Sequence, residues 1–236
     1  SAAPHAIVNA QDNGFFHVMP GGWPKLTGYP MFASVWVENS VLMQTRLPNS
    51  LTIAQPPSRS ETAMMFYEGT LARHVTLRNC VIGLNMFSLI SLSDCMEAFK
   101  FENCTIFGRP LFFLKGGQQR PVPTISFHEN LIISPDNPLR FEIGGVVDQI
   151  VATGRNNALW LLDGKITPQT RNTDTLKLIP GPVMKLPPPY ANGIDIPADD
   201  KDKEALPKQL KMKPNQDAGK MAPDGGPVGM RFDRLP

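Results

Sequence analysis

No apolar run in the 236-residue chain reaches the ~18 residues that a membrane-spanning helix needs, so a helical integral membrane protein is excluded. Charge is sparse as well: Asp, Glu, Lys and Arg make up 19% of the residues, below the usual ~25%. A formal net charge of +2 is too small to point to a nucleic-acid partner. Cysteine occurs three times, as Cys80, Cys95 and Cys104, which is neither an even disulfide framework nor a paired Cys-x-x-Cys metal motif. The opening residues Ser1 to His5 carry no initiator Met and no charged n-region with an apolar h-region, and are expected to belong to a processed chain or an excised fragment. Cytosolic thiols and a secreted chain with few disulfides both remain open.

What is abundant points elsewhere. The 24 prolines and 19 glycines argue against a helical bundle or coiled coil, and 42% hydrophobic residues suffice for a continuous core. One short phrase recurs: Val35-Trp-Val-Glu-Asn-Ser-Val-Leu42, Val75-Thr-Leu-Arg-Asn-Cys-Val-Ile82 and Phe99-Lys-Phe-Glu-Asn-Cys-Thr-Ile106. A weaker copy, Ile125 to Ile132, has its Asn130 one residue late. Starts at 75, 99 and 125 are 24 and 26 residues apart, and the first interval of 40 is one period plus an insertion. The Pro- and Ser-rich segment 44–61 supplies that insertion and is predicted to be a long loop.

Within the phrases Val75, Leu77, Phe99 and Phe101 would share the inward face of a strand, with Thr76, Arg78, Lys100 and Glu102 outward. Asn tolerates left-handed backbone, so Asn39, Asn79 and Asn103 would turn a corner and stack as a ladder, each amide bonding the next. A second strand follows in each unit: Met64–Tyr67, Phe87–Leu92, Leu111–Leu114, Leu139–Ile143, with Ala158–Leu162 as a fifth. Two strands and a glycine turn per ~25 residues predict an all-β solenoid.

The phrase Phe99 to Ile106 and the closing Gly154-Arg-Asn-Asn-Ala-Leu-Trp160 resemble coils of right-handed parallel β-helix proteins of the pectate-lyase-like superfamily. The resemblance implies about five coils over residues 31–166. Residues 1–30, rich in Gly, Pro and aromatics, would be an irregular N-terminal cap or a damaged first coil. Residues 167–236 would be a Pro-rich, mixed-charge tail, docked or disordered. A narrower resemblance is to the β-helix domains that accompany bacterial Ser/Thr kinase domains, through Gly154 with Asn157 and Gly226-Pro-Val-Gly-Met-Arg-Phe-Asp233. No kinase phosphate loop, V-A-I-K, H-R-D or D-F-G element occurs here, so kinase activity does not carry over to this chain.

Polysaccharide cleavage, common in this superfamily, needs a carboxylate pair or a Ca²⁺ site with a base. The best constellation is Arg140 and Glu142 on one strand, with Arg155, Asp163 and Lys165 one coil further on, although ordinary outward charges paired across coils are the favoured account of it. Only Asp94 and Asp136 occur between residues 31 and 147, and His5, His17, His74 and His128 are scattered, so no metal or cofactor site is expected. Cys80 and Cys104 hold the same place in successive coils, at a spacing compatible with a disulfide, although a reduced inward ladder is simpler. Trp36 alternates outward, near the long loop with Arg46 and Arg59, and would suit a sugar ring or a protein contact if exposed, although coverage by the N-terminal cap or by the 44–61 loop is the favoured expectation.

The sequence therefore favours a non-catalytic binding or scaffolding module, part of a larger bacterial signalling protein. A polysaccharide lyase or glycoside hydrolase is the alternative, and a secreted structural or adhesive solenoid the third. Expected partners are a protein or a glycan, with no nucleic acid. A signalling role implies the cytoplasm, and carbohydrate activity the exterior.

Overall fold

The computed structural model describes residues 6–9, 16–17, 32–43, 50–51, 64–67, 72–83, 89–92, 97–108, 111–114, 124–134, 140–143, 151–161, 184, 188, 194–195, 208–210, 217–231 and 233. These residues are strand-rich, and three sheets consist of parallel pairs alone. The front sheet holds β3 (Phe32–Glu38), β7 (Ala72–Arg78), β10 (Ala98–Glu102), β13 (Thr124–His128) and β16 (Val151–Arg155). The back sheet holds β1 (Ala6–Asn9), β4 (Ser40–Met43), β8 (Val81–Gly83), β11 (Thr105–Phe107), β14 (Leu131–Ser134) and β17 (Ala158–Leu161). The side sheet holds β2 (Phe16–His17), β6 (Met64–Tyr67), β9 (Leu89–Leu92), β12 (Leu111–Leu114) and β15 (Arg140–Ile143). Parallel neighbours need a long crossover, and each unit's passage through the other two sheets supplies it.

Register in the front sheet follows the apolar alternation. Phe99 pairs with Val75 on one side and Ile125 on the other, and Phe101 pairs with Leu77 and Phe127. All six are fully buried. The Phe101 and Phe127 rings stack at 5.0 Å with 10° between planes, and Phe99 tilts against Phe101 at 4.9 Å. Each buried Phe contributes about 1.5–3 kcal/mol, and a slip by one residue would turn all of them to solvent.

Every front strand ends at a residue with left-handed backbone: Asn39 (φ 53°), Asn79 (49°), Asn103 (53°), Glu129 (57°) and Asn156 (53°). The chain then enters the back sheet, whose residues are buried on both faces in β8, β11 and β14. One face packs against the C-terminal region: Val41, Val81, Phe107, Leu131, Ile133 and Ala158 cluster with Met184, Leu210, Ala218, Ala222, Val228 and Met230. The alternate row, Leu42, Ile82, Ile106, Ile132 and Leu159, is buried on the opposite side.

Several expectations change. Each unit has three strands, because the residues just past the corner form a strand of their own. Ala158–Leu161 is not a fifth second strand: β17 pairs with β14, directly after the Asn156 corner, and Val151–Arg155 is the front strand before it. Asn130 is not a late corner, since Glu129 takes the left-handed position. Thr76 lies in the outward row yet is buried, flanked in that row by the larger Trp36 and Lys100. Residues before 31 already join the sheets, β1 beside β4 and β2 beside β6. Within the long-loop segment, β5 (Ser50–Leu51) pairs antiparallel with β18 (Ile194–Asp195) of the tail. Among the described tail residues, Met184, Leu210, Ala218, Ala222, Val228 and Met230 pack against the back sheet, and Met184 N–H donates to the Leu159 carbonyl at 2.7 Å.

Candidate binding face and corner

After four of the five corners the next residue contacts a carbonyl of the preceding unit, whereas Ser40, after the Asn39 corner, bonds the Glu38 carbonyl of its own unit at 2.8 Å. Asn130 Nδ2 donates to the Phe101 carbonyl at 3.0 Å and Asn157 Nδ2 to the Phe127 carbonyl at 2.9 Å. Their Oδ1 atoms accept the backbone N–H of Cys104 at 2.8 Å and of Asn130 at 3.0 Å. Cys80 and Cys104 occupy the same row, with each sulfur placed between two carbonyls: Cys80 Sγ lies 3.5 Å from that of Val37 in the preceding unit and 3.1 Å from that of Arg78, and Cys104 Sγ lies 3.3 Å from those of Leu77 and Glu102. Both are free thiols. Burial pushes the Cys104 thiol well up, keeping it protonated as a donor, while the hydrogen bond with Cys104 holds Cys80 below the ordinary thiol value.

The outer ladder of corner amides is interrupted. Asn79 Nδ2 bonds Asn39 Oδ1 at 2.7 Å, as expected of a ladder. Asn79 does not continue to Asn103, because a C-terminal strap takes its remaining capacity: Arg231 N–H donates to Asn79 Oδ1 at 2.7 Å, and Asn79 Nδ2 donates to the Arg231 carbonyl at 3.1 Å. Asn103 Nδ2 instead bonds Glu129 Oε2 at 3.2 Å. Arg231 itself is 8% exposed, its guanidinium clasped by Asp224 at 2.6 Å and Asp233 at 2.5 Å. Those two carboxylates, Asp233 foremost, hold it above its ordinary value. In the sequence this segment resembles only a family phrase, because its bonds to the corner use the strap's backbone groups.

The outer face of the front sheet mixes exposed positions, Trp36, Lys100 and Thr153, with the buried Thr76 and Ser126. Trp36 is 60% exposed and heads a row with Thr76, Lys100, Ser126 and Thr153, stepping ~4.8 Å per strand. Beside it runs Glu38, Arg78, Glu102, His128 and Arg155. Neighbouring units pair off some charge: Arg78 with Glu38 at 3.5 Å, and Arg73 with Glu97 at 3.8 Å. Such exposed pairs contribute about 0–1 kcal/mol each. Burial first, then the Arg155 guanidinium, lower the His128 imidazole, and its Nδ1 is buried without a hydrogen-bond partner.

Of the residues singled out in the sequence, Arg155 is exposed on the front sheet, whereas Arg140 and Glu142 belong to a side-sheet strand, so they do not share a sheet with it. The side chains of Arg140 and Glu142, and the whole of Arg46, Arg59, Asp163, Lys165 and Cys95, lie outside the described residues. Among the described residues no three His, Cys, Asp or Glu side chains converge, and no helix is long and apolar enough to cross a membrane. No family model, curated protein or solved structure matches the chain.

Proposed function

We propose that the chain is a non-catalytic binding or scaffolding module, wound as a right-handed parallel β-helix and belonging to a larger bacterial signalling protein. Parallel pairing of successive units in all three sheets, in register except for a shift between Met64 and Phe66 where β6 meets β9, supports the winding. Right-handedness rests on the strong chiral preference of parallel crossovers. One observation carries the binding role: the back sheet is covered by the chain's own tail, while the front sheet presents Trp36 uncovered. A large aromatic side chain left on a flat, otherwise polar face suits stacking or an interface anchor.

The test is a glycan and peptide array probed with the intact protein, then with Trp36→Ala. A ligand found this way should bind the variant about tenfold more weakly, the loss of one stacking contact. Undiminished binding would remove Trp36 from the site, and new reducing ends or unsaturated sugars from a polysaccharide panel would replace the module reading with an enzyme.

A further inference from the structure

The C-terminal strap is held the way a bound peptide is held. Besides the two bonds between Asn79 and the Arg231 backbone, Met230 N–H donates to Thr105 Oγ1 at 3.0 Å and Gly229 N–H to the Glu129 carbonyl at 2.7 Å. On the strap side all four use backbone atoms. On the other side the partners come from three successive units, so the strap is fixed in register, much as an added peptide is fixed along a sheet edge. Side-chain selectivity is present too: Val228 and Met230 are buried in the back-sheet cluster. Position 229 must be glycine, because its φ is +91° and a Cβ there would lie 2.7 Å from Thr105 Oγ1.

The strap also holds its own shape. Arg231 is clasped by Asp224 and Asp233, Asp224 Oδ1 accepts Gly226 N–H at 3.0 Å, Ala222 N–H donates to Gly226 at 3.0 Å, and Val228 N–H to Ala218 at 3.1 Å. A segment braced internally loses little freedom on docking. Only residues 211–216 separate it from Leu210, the preceding described residue in the cluster.

We propose that Asn79, Thr105 and the Glu129 carbonyl form a peptide-binding site that accepts residues 217–233 of a second copy of this chain as well as its own, so that strap exchange links copies. The combination the site selects, glycine between two buried apolar residues followed by a doubly clasped arginine, is one that every copy carries. Within one chain the short tether gives the strap an effective concentration near millimolar. The intact protein at micromolar concentration is therefore closed and monomeric, and exchange emerges when a chain's own strap cannot dock.

Two full-length variants test this. Gly229→Val keeps the corner and loses a dockable strap. Asn79→Gly with Thr105→Val keeps the strap and loses three of the four bonds at the corner, while glycine tolerates the left-handed backbone and valine preserves shape. Mixed at about 10 µM, well below the tethered effective concentration, the pair should sediment as a heterodimer and each alone as a monomer. A mixture of monomers, or equal self-association of Gly229→Val, overturns the proposal. Independently of how the double variant folds, a synthetic peptide of residues 217–233 should bind the Gly229→Val chain about tenfold or more tighter than the wild-type chain, whose site is filled. Equal or absent binding overturns it as well.

Discussion

Asn130 and Asn157 each use one amide twice, donating to a carbonyl and accepting an N–H of the unit before, and both are fully buried. Cysteine fills the same role at Cys104 with weaker bonds, so Cys104→Asn should keep stability within about 1 kcal/mol. Cys104→Val offers neither donor nor acceptor and should cost about 1–2 kcal/mol more, read by denaturant midpoints. His128 supplies a second residue-scale prediction. A neutral imidazole can leave a bare Nδ1 buried, but an imidazolium must bury an unpaired N–H. Its folded value is lowered from the ordinary 6.5, so its share of stability is present above that pH and lost as pH falls through 6.5 toward the folded value. Glu102 and Glu129 oppose this shift, and Lys100 adds to it. Melting temperature should drop between about pH 7 and 5.5, and His128→Gln should flatten that slope; an unchanged slope would contradict the assignment.

At the scale of elements, the front strands and three of the corners were legible because alternation and Asn are local signals. Val151–Arg155 was not, since Ala152 and Gly154 occupy its inward positions and erase the apolar alternation. Glu129 was missed because glutamate has no preference for the left-handed backbone it adopts. The strap was illegible for another reason: its contacts join residues 152 apart through backbone atoms, and its Gly and Pro content resembles any tail. Gly229→Ala should therefore act far beyond its size. Its Cβ must displace Thr105 or Leu131, which lie 2.7 and 3.0 Å away, and the cost should be about 1–3 kcal/mol. Faster proteolytic clipping after Lys220 would report the loosened strap; clipping at the wild-type rate would show that the close approach does not matter.

In the whole molecule, the front-face row and the strap's corner exist only where successive units lie one strand apart. Spin labels placed in pairs along the outward row sample that directly: positions 36 with 100, 36 with 126, and 36 with 153 are two, three and four strands apart. Stacked parallel strands predict mean distances that rise by about 4.8 Å per step, to about 19 Å between the outermost pair. Distances that fail to increase in that order would contradict the stacking, and with it both the front-face row and the corner on which the strap docks.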